Sequence, residues 1–484
     1  MESRFADAKK KEQGTTTVNP PPTSRVPHQD GLAIATALSH QPITTHPNTM
    51  SYEWAGSTLK TLFGTTQPVA ETWPFFSGPN KAACIAAADS IGRMTMEELV
   101  TKAPQVLGPA GADPENSNQK YFFVKFLDPS DFPPFAYVGL NPDTVSALGK
   151  SPAAFRAYFA NLLWEDRQAV EALAGLIRLR VRSRKAFERF KAAYKAWAIA
   201  QATTDWTGTA PCELDPFVAP PHRADAQANL MRQGDIRRQI IRLLHRIDFQ
   251  EDQAILVETP TLHAIAGLSL QVHPKAPGNF HPKDELWIYK EIPLPDGKRG
   301  WILVEPQRTF DRTESGADFF TPFTWEGTAE RGSLRLRKSI SRTYLDQFVA
   351  LMDVTPHPRS HFIRTAAPMT VPEGSVQGTA RWHRVVEEPG WPHFVARELR
   401  FAGPGASTTP LPHHSFIELH ATLGRVEASV DSRQGEARRF TVSPTQPVFL
   451  PASLPYDTIT YRASRPAHLL FFMRPESPRR PKST

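Results

Sequence analysis

The sequence predicts a mainly β protein interrupted by one α-helical insertion, and three features carry that expectation. The final third holds six short alternating runs, ARWHRVVEE, HFVARELRF, SFIELHATLGRVEASV, RRFTVSP, PVFLPASLPYDTITY and AHLLFFMRP, spaced as in a β-sandwich or barrel. Residues 258–323 are strand-like again and gather histidines, a glutamine and several acids. Between residues 152 and 248 the apolar period lengthens from two to three and four, which is the period of a packed helix.

Taken in order, residues 1–48 are rich in Thr, Pro, His, Ser and Lys without a sustained apolar period, and are expected to be a flexible tail. YEWAGSTLKTLFG and AETWPFFSGPN follow as short apolar runs punctuated by Gly, Pro and Asn. MTMEELVTKAPQVLG predicts a helix with Met94, Leu99 and Val100 on one face, ended by Pro104. YFFVKFLDP, residues 121–129, reads as a buried strand. The insertion starts where Ser151 can cap and Pro152 can occupy the first turn, and Phe155, Phe159, Leu162 and Leu163 recur on one face. A loop over TGTAPCELDPFVAPPH separates this from a second amphipathic stretch, ANLMRQGDIRRQIIRLLHRI. Strand character returns at DQAILVETP, a helix is predicted over RTYLDQFVALM, and the closing ESPRRPKST is polar and expected to be loose.

Composition narrows the class. The chain of 484 residues is long enough for two or three domains, and its 46 prolines favour many turns and edges. No apolar run approaches the twenty residues of a membrane helix, and MESRFADAKKKEQGTTT lacks the apolar core of a signal peptide, so a cytoplasmic protein without membrane association is expected. Cys84 and Cys212 are far apart and outside any CxxC spacing, which excludes a disulfide framework and a cysteine-based zinc site. A net charge of +7 bears on association only. The basic run at 178–191, with Leu176, Leu179 and Phe187 interleaved, reads as the solvated face of a packed helix, so no nucleic-acid partner is expected. GxGxxG, Walker-type, HExxH and Gly-x-Ser-x-Gly motifs are missing, which removes the usual nucleotide, zincin and hydrolase readings.

The chemistry concentrates in residues 258–323. LSLQVHP alternates, placing Ser269, Gln271 and His273 on one face of a strand and Leu268, Leu270 and Val272 on the other. Twelve residues on, Glu285 opens the strand ELWIYKEI, and ten residues upstream of His273 stands His263 in PTLHAIAG. Two imidazoles, a carboxylate and an amide oxygen suit Zn2+ or another divalent metal, with a position left for water or substrate. Single histidines more often make structural hydrogen bonds; here spacing within one β unit favours a ligand set of His263, Gln271, His273 and Glu285. His281, in the second HPK, is a further candidate, and His413, His414 and His420 form another histidine cluster.

These stretches together resemble the type I phosphomannose isomerase family of the cupin superfamily. EWAGSTLKTLFG with AETWPFFSGPN is similar to the family's N-terminal Trp-Gly and Glu-Thr/Ser-Trp segments, and FFVKFLDP to its Lys-containing strand. LSLQVHP with KDELW resembles its Gln-x-His-Pro and Lys-Pro-Glu motifs, PTLHAIAG its His-Ala turn, and PVFLPASLPYDTI its Phe-x-x-Pro-Ala strand. The resemblance implies two cupin-type β-barrel domains plus a helical domain: a first cupin over 49–150 and 251–330 with the metal site, the insertion over 151–250, a second cupin over 331–475, and tails at 1–48 and 476–484.

It also implies a zinc-dependent conversion of mannose 6-phosphate to fructose 6-phosphate through an enediol, with a small sugar or sugar phosphate as partner. In VEPQRTFDRTES, which resembles a family substrate segment, Glu305 and Asp311 are the candidate acid and base. Lys283, Arg308 and Arg312 are the candidate anchors for phosphate or sugar oxygens. The family's Gln-x-His-Pro precedes the insertion, whereas here Gly139 and Asn141 occupy that slot, and Ser315 stands in place of a substrate-side arginine. Alternatives of another class are a catalytically silent cupin that binds a sugar or regulates a pathway, and a metal-cupin epimerase or oxygenase. The sequence is compatible with a monomer.

Overall fold

The computed structural model describes residues 31–475 apart from 53, 77–83, 89–90, 112–121, 207–211, 266–267, 274–283, 295, 309–312, 338–339, 372–373, 388–393 and 432–436. The architecture is mainly β with a helical region, and the chain divides into two compact units. Met1–Asp131, Ile288–Thr309 and Thr365–Thr484 form the first, Phe132–Trp287 and Phe310–Arg364 the second. The chain therefore enters each unit more than once, and residues 331–364, grouped by sequence with the C-terminal block, belong to the second unit.

The C-terminal runs of the first unit form one large antiparallel sheet. Its longest strand, Val395–Pro410, pairs along its first half with Ala467–Met473 and along its second half with Thr458–Ala463, while Ser375–Val386 lines its other edge. Alternation turns Trp382, Leu399, Phe401, Leu419, Tyr461 and Phe471 into one apolar core. Residues 31–48 are not a tail throughout: Gly31–Leu38 is helical, and Ile43–His46 pairs with Val448–Leu450 on one side and Ile85–Ala88 on the other. The strand is hard to see in sequence because its partners are remote and only four residues long or shorter; the buried Ile43 and Thr45 on one face are what hold it. Similarly, Met94 precedes the expected helix, since Thr95 caps Met96–Lys102 reciprocally with Glu98.

In the second unit an antiparallel five-stranded sheet is built from β1 (Phe135–Leu140), β2 (Leu244–Asp248), β3 (His263–Ile265), β4 (Ser269–Val272) and a strand at Glu314–Asp318, in the spatial order Glu314–Asp318, β4, β3, β1, β2. Helices α1 (Pro152–Arg178), α2 (Arg184–Thr203) and α3 (Arg223–Arg242) make up the insertion, with Ser151 and Ser183 capping the first two. A fully buried Arg237 on α3 donates to Asp166 of α1 at 2.7 Å and to the Phe319 carbonyl at 2.6 Å, which ties both helices to the sheet side of the unit. The basic run is not the face of a single helix: it spans the end of α1, a turn and the start of α2, with Arg178, Arg180, Arg182 and Arg184 exposed, Phe187 buried and Leu179, expected to pack, 60% exposed. No helix among the described residues is long and apolar enough to cross a membrane.

The slot at 139–141 has a structural occupation. β1 bulges between Val138 and Leu140, and Gly139 there has φ +59°, a left-handed value that disfavours any side chain. A Cβ at Gly139 would lie 2.1 Å from the ring of Phe362. Asn141 accepts the Asp143 N–H at 3.0 Å and caps the helix Pro142–Ala147. Gly139→Ala is therefore expected to destabilise the fold by about 2–4 kcal/mol, combining left-handed strain with overpacking, and to lower the melting temperature; an unchanged melt would show that Phe362 yields at no cost.

Candidate metal centre

The site grows from the register of the second unit's sheet. Ser315 faces Gln271, Gln271 faces His263, His263 faces Val138 and Val138 faces His245, so the five form one row across the strands and share one face. His273 follows β4 directly, and Glu285 opens β5 (Glu285–Pro293). His263, His273 and Glu285 converge: their potential ligand atoms all lie within 4.8 Å of one another, and the residues are only 2–3% exposed. Among the described residues this is the one group of three or more His, Cys, Asp or Glu side chains with such geometry.

The surroundings orient each ligand. The Nδ1 of His263 lies 2.9 Å from the Thr261 carbonyl, which fixes the Nδ1–H tautomer and directs Nε2 as the donor atom. The turn that carries Thr261 is closed by its N–H donating to the Glu258 carbonyl at 2.7 Å. Asp284 secures the same turn by accepting the Thr259 N–H at 2.8 Å, so Thr261 is held beside the start of β5. His273 approaches the Thr313 hydroxyl through Nδ1 at 3.2 Å and Glu285 Oε1 through Nε2 at 2.7 Å. The second carboxylate oxygen of Glu285 accepts the indole N–H of Trp287 at 3.1 Å.

This donor set fits a divalent ion. Ligand atoms around a four-coordinate zinc stand about 3.3–3.5 Å apart, a spacing that small side-chain rotations within the cluster reach. Two neutral imidazoles and one carboxylate leave a bound dication with net positive charge, and Gln271, half-buried on the same face as His263, is placed to add an amide oxygen. Asp284→Ala is expected to weaken metal binding by about tenfold through loss of the turn that sets Thr261 and His263, a change measurable by chelator competition.

Other sequence-derived candidates fall elsewhere. Glu305 is buried in the first unit on the strand Arg299–Arg308, opposite Lys125, with their charged atoms 3.9 Å apart. Lys283, Asp311, Arg312 and His281, and the side chain of Arg308, lie outside the described residues. Ser315 donates its backbone N–H to the Tyr344 hydroxyl at 3.3 Å. His413 and His414 approach the carbonyls of Ala452 and Arg474, and the fully buried His420 packs edge-on against Phe75.

Beyond that set, the first unit buries Lys125 under Trp73, its ammonium 5.0 Å from the ring, while Trp73 donates its indole N–H to Glu71 at 2.7 Å. The sequence signal for Lys125 is a lone cation inside the apolar run FFVKFL, since a lysine is rarely buried without a partner.

No family model and no curated protein matches the chain. Among solved structures, the chain is similar to the cupin-2 domain of an XRE-family transcriptional regulator from Enterobacter cloacae, at 20% identity over 20% of this chain and 99% of that one, with a TM-score of 0.17. It is similar to the cupin domain of Cnp3 from Schizosaccharomyces pombe, at 13% identity over 24% and 77%, TM-score 0.17. It is also similar to procruciferin, an 11S globulin of Brassica napus, at 12% identity over 46% and 70%, TM-score 0.23. Likenesses this weak leave the reading of the site to its own geometry.

Proposed function

We propose that the chain is a metal-dependent aldose–ketose isomerase, with mannose 6-phosphate and fructose 6-phosphate as the pair to assay. The observation that carries the reading is the convergence of His263, His273 and Glu285, drawn from two strands and a turn, in one buried cluster beside Gln271. Zinc or a similar ion, when bound, supplies positive charge that polarises a sugar carbonyl and favours the enediolate. The reaction removes a proton from C2 of the aldose and returns it at C1, so it requires one positioned base and a cation for the phosphate. Asp311 is assigned to the proton shift, and Lys283 and Arg312 to anchoring.

A second reading is favoured by what three residues do in the fold. Gly139 and Asn141 serve a bulge and a helix cap, and Ser315 a backbone bond to Tyr344, which suits a metal-stabilised module that binds a sugar without turning it over. A coupled assay on metal-loaded protein separates them. Isomerisation that is abolished in Asp311→Asn, with metal content unchanged, is the expected result. Saturable calorimetric binding of mannose 6-phosphate without turnover identifies the module instead.

A further inference from the structure

We infer that Trp287 is the positioning residue of the metal centre, an inference that rests on the metal reading of the His263, His273 and Glu285 cluster. Trp287 and Glu285 are two apart on β5 and so project from the same face of the strand. The indole is 1% exposed, so its N–H cannot turn to water and requires a protein acceptor; Glu285 Oε2 provides it at 3.1 Å. The same ring stands edge-on to His263, centroids 5.5 Å apart at 67°, and His263 lies 4.6 Å from the His273 ring. One side chain thus contacts two of the three ligands, the carboxylate by a hydrogen bond and the imidazole by its ring.

The consequence is geometric. With Oε2 held by the indole, Glu285 presents Oε1 toward the His273 nitrogen, 2.7 Å away, and offers a metal one oxygen rather than two. The ring at the same time limits rotation of His263, whose other nitrogen is set by the Thr261 carbonyl. Both ligands are then held in place before an ion arrives, which removes the ordering cost from binding. The first unit uses the same device at Glu71 and Trp73, also two apart on a strand, with the indole N–H on the carboxylate at 2.7 Å. A carboxylate steered by the tryptophan two residues along therefore occurs twice among the described residues.

The test compares the full-length wild type with Trp287→Phe, which keeps an aromatic ring and deletes the N–H. Cobalt is the probe, read by chelator-competition affinity and by its visible absorption spectrum. The expected result is an affinity lower by about 10- to 100-fold and an altered spectrum in the variant, while its metal-free melting curve stays close to wild type. Trp287→His, which retains a ring N–H, is expected to recover part of the affinity, and it serves as the readout should the phenylalanine variant not fold. Wild-type cobalt affinity and spectrum in Trp287→Phe, or in Trp287→His no better binding than in a folded Trp287→Phe, assign Trp287 to packing alone and overturn the inference. Failure of the wild type itself to bind cobalt overturns the metal reading as well, and is distinguishable because it appears before any substitution.

Discussion

Replacing Glu285 by Gln, or His273 by Ala, is expected to reduce bound metal from about one ion per chain to a small fraction of that, as measured by elemental analysis of purified protein. Structural zinc sites release about 10–16 kcal/mol over their ligands, so each ligand accounts for roughly 3–4 kcal/mol, or more than a hundredfold in affinity. Glu285→Gln is the sharper of the two because it keeps the shape of the side chain and an acceptor for Trp287 while removing the negative charge. His273→Ala removes a nitrogen 2.7 Å from Glu285 and leaves His263 as the one imidazole of the cluster. Full metal content in both variants would place the ion elsewhere and dissolve the site.

The second large effect is on stability and lies in the first unit. Glu398, fully buried, accepts from the Lys290 ammonium at 2.7 Å and from two Arg400 nitrogens at 2.9 and 2.6 Å, with His468 at 3.6 Å. Glu398→Gln leaves two cations facing a neutral amide in a dry environment and is expected to cost about 3–5 kcal/mol at neutral pH. The pH dependence has a defined sign. Burial alone would raise the Glu398 carboxyl, but Lys290 and Arg400 outweigh it and hold the group below its ordinary value of 4.5. Stabilisation by the carboxylate is therefore fully present above about pH 4.5 and is lost as the pH falls through the lower value in the folded protein. Melting curves of the wild type and Glu398→Gln should differ most at pH 7 and converge in acid. Parallel curves at every pH would mean that the charge contributes nothing.

Much of the fold and of the donor set is legible in the sequence. Alternation in LSLQVHP places Gln271 and His273 on one face, and the strands, with Glu285 at the head of ELWIYKEI, follow from local composition. The helical insertion announces itself through Ser151, Pro152 and the spacing of Phe155, Phe159 and Leu162. What escaped is non-local. Ile43–His46 looks like part of a polar tail until strands from 85 and 448 flank it. Gly139 looks like a lost ligand position until Phe362, more than two hundred residues on, fills the space a side chain would need. Lys125 has a reason to be buried only once Trp73 and Glu305 are beside it.

The sequence by itself determined the periods, caps and donor types: which segments are helix or strand, and that imidazole, amide and carboxylate oxygen are the available ligands. These depend on neighbours within a few residues, where backbone sterics and hydrophobic periodicity act. Only the tertiary structure decided that His263, His273 and Glu285 meet, that Thr261 and Trp287 aim them, and that the 139–141 slot serves backbone geometry. Convergence of side chains is set by strand register and by turns closed through contacts such as Asp284 with Thr259, and those contacts form only when distant segments pack together.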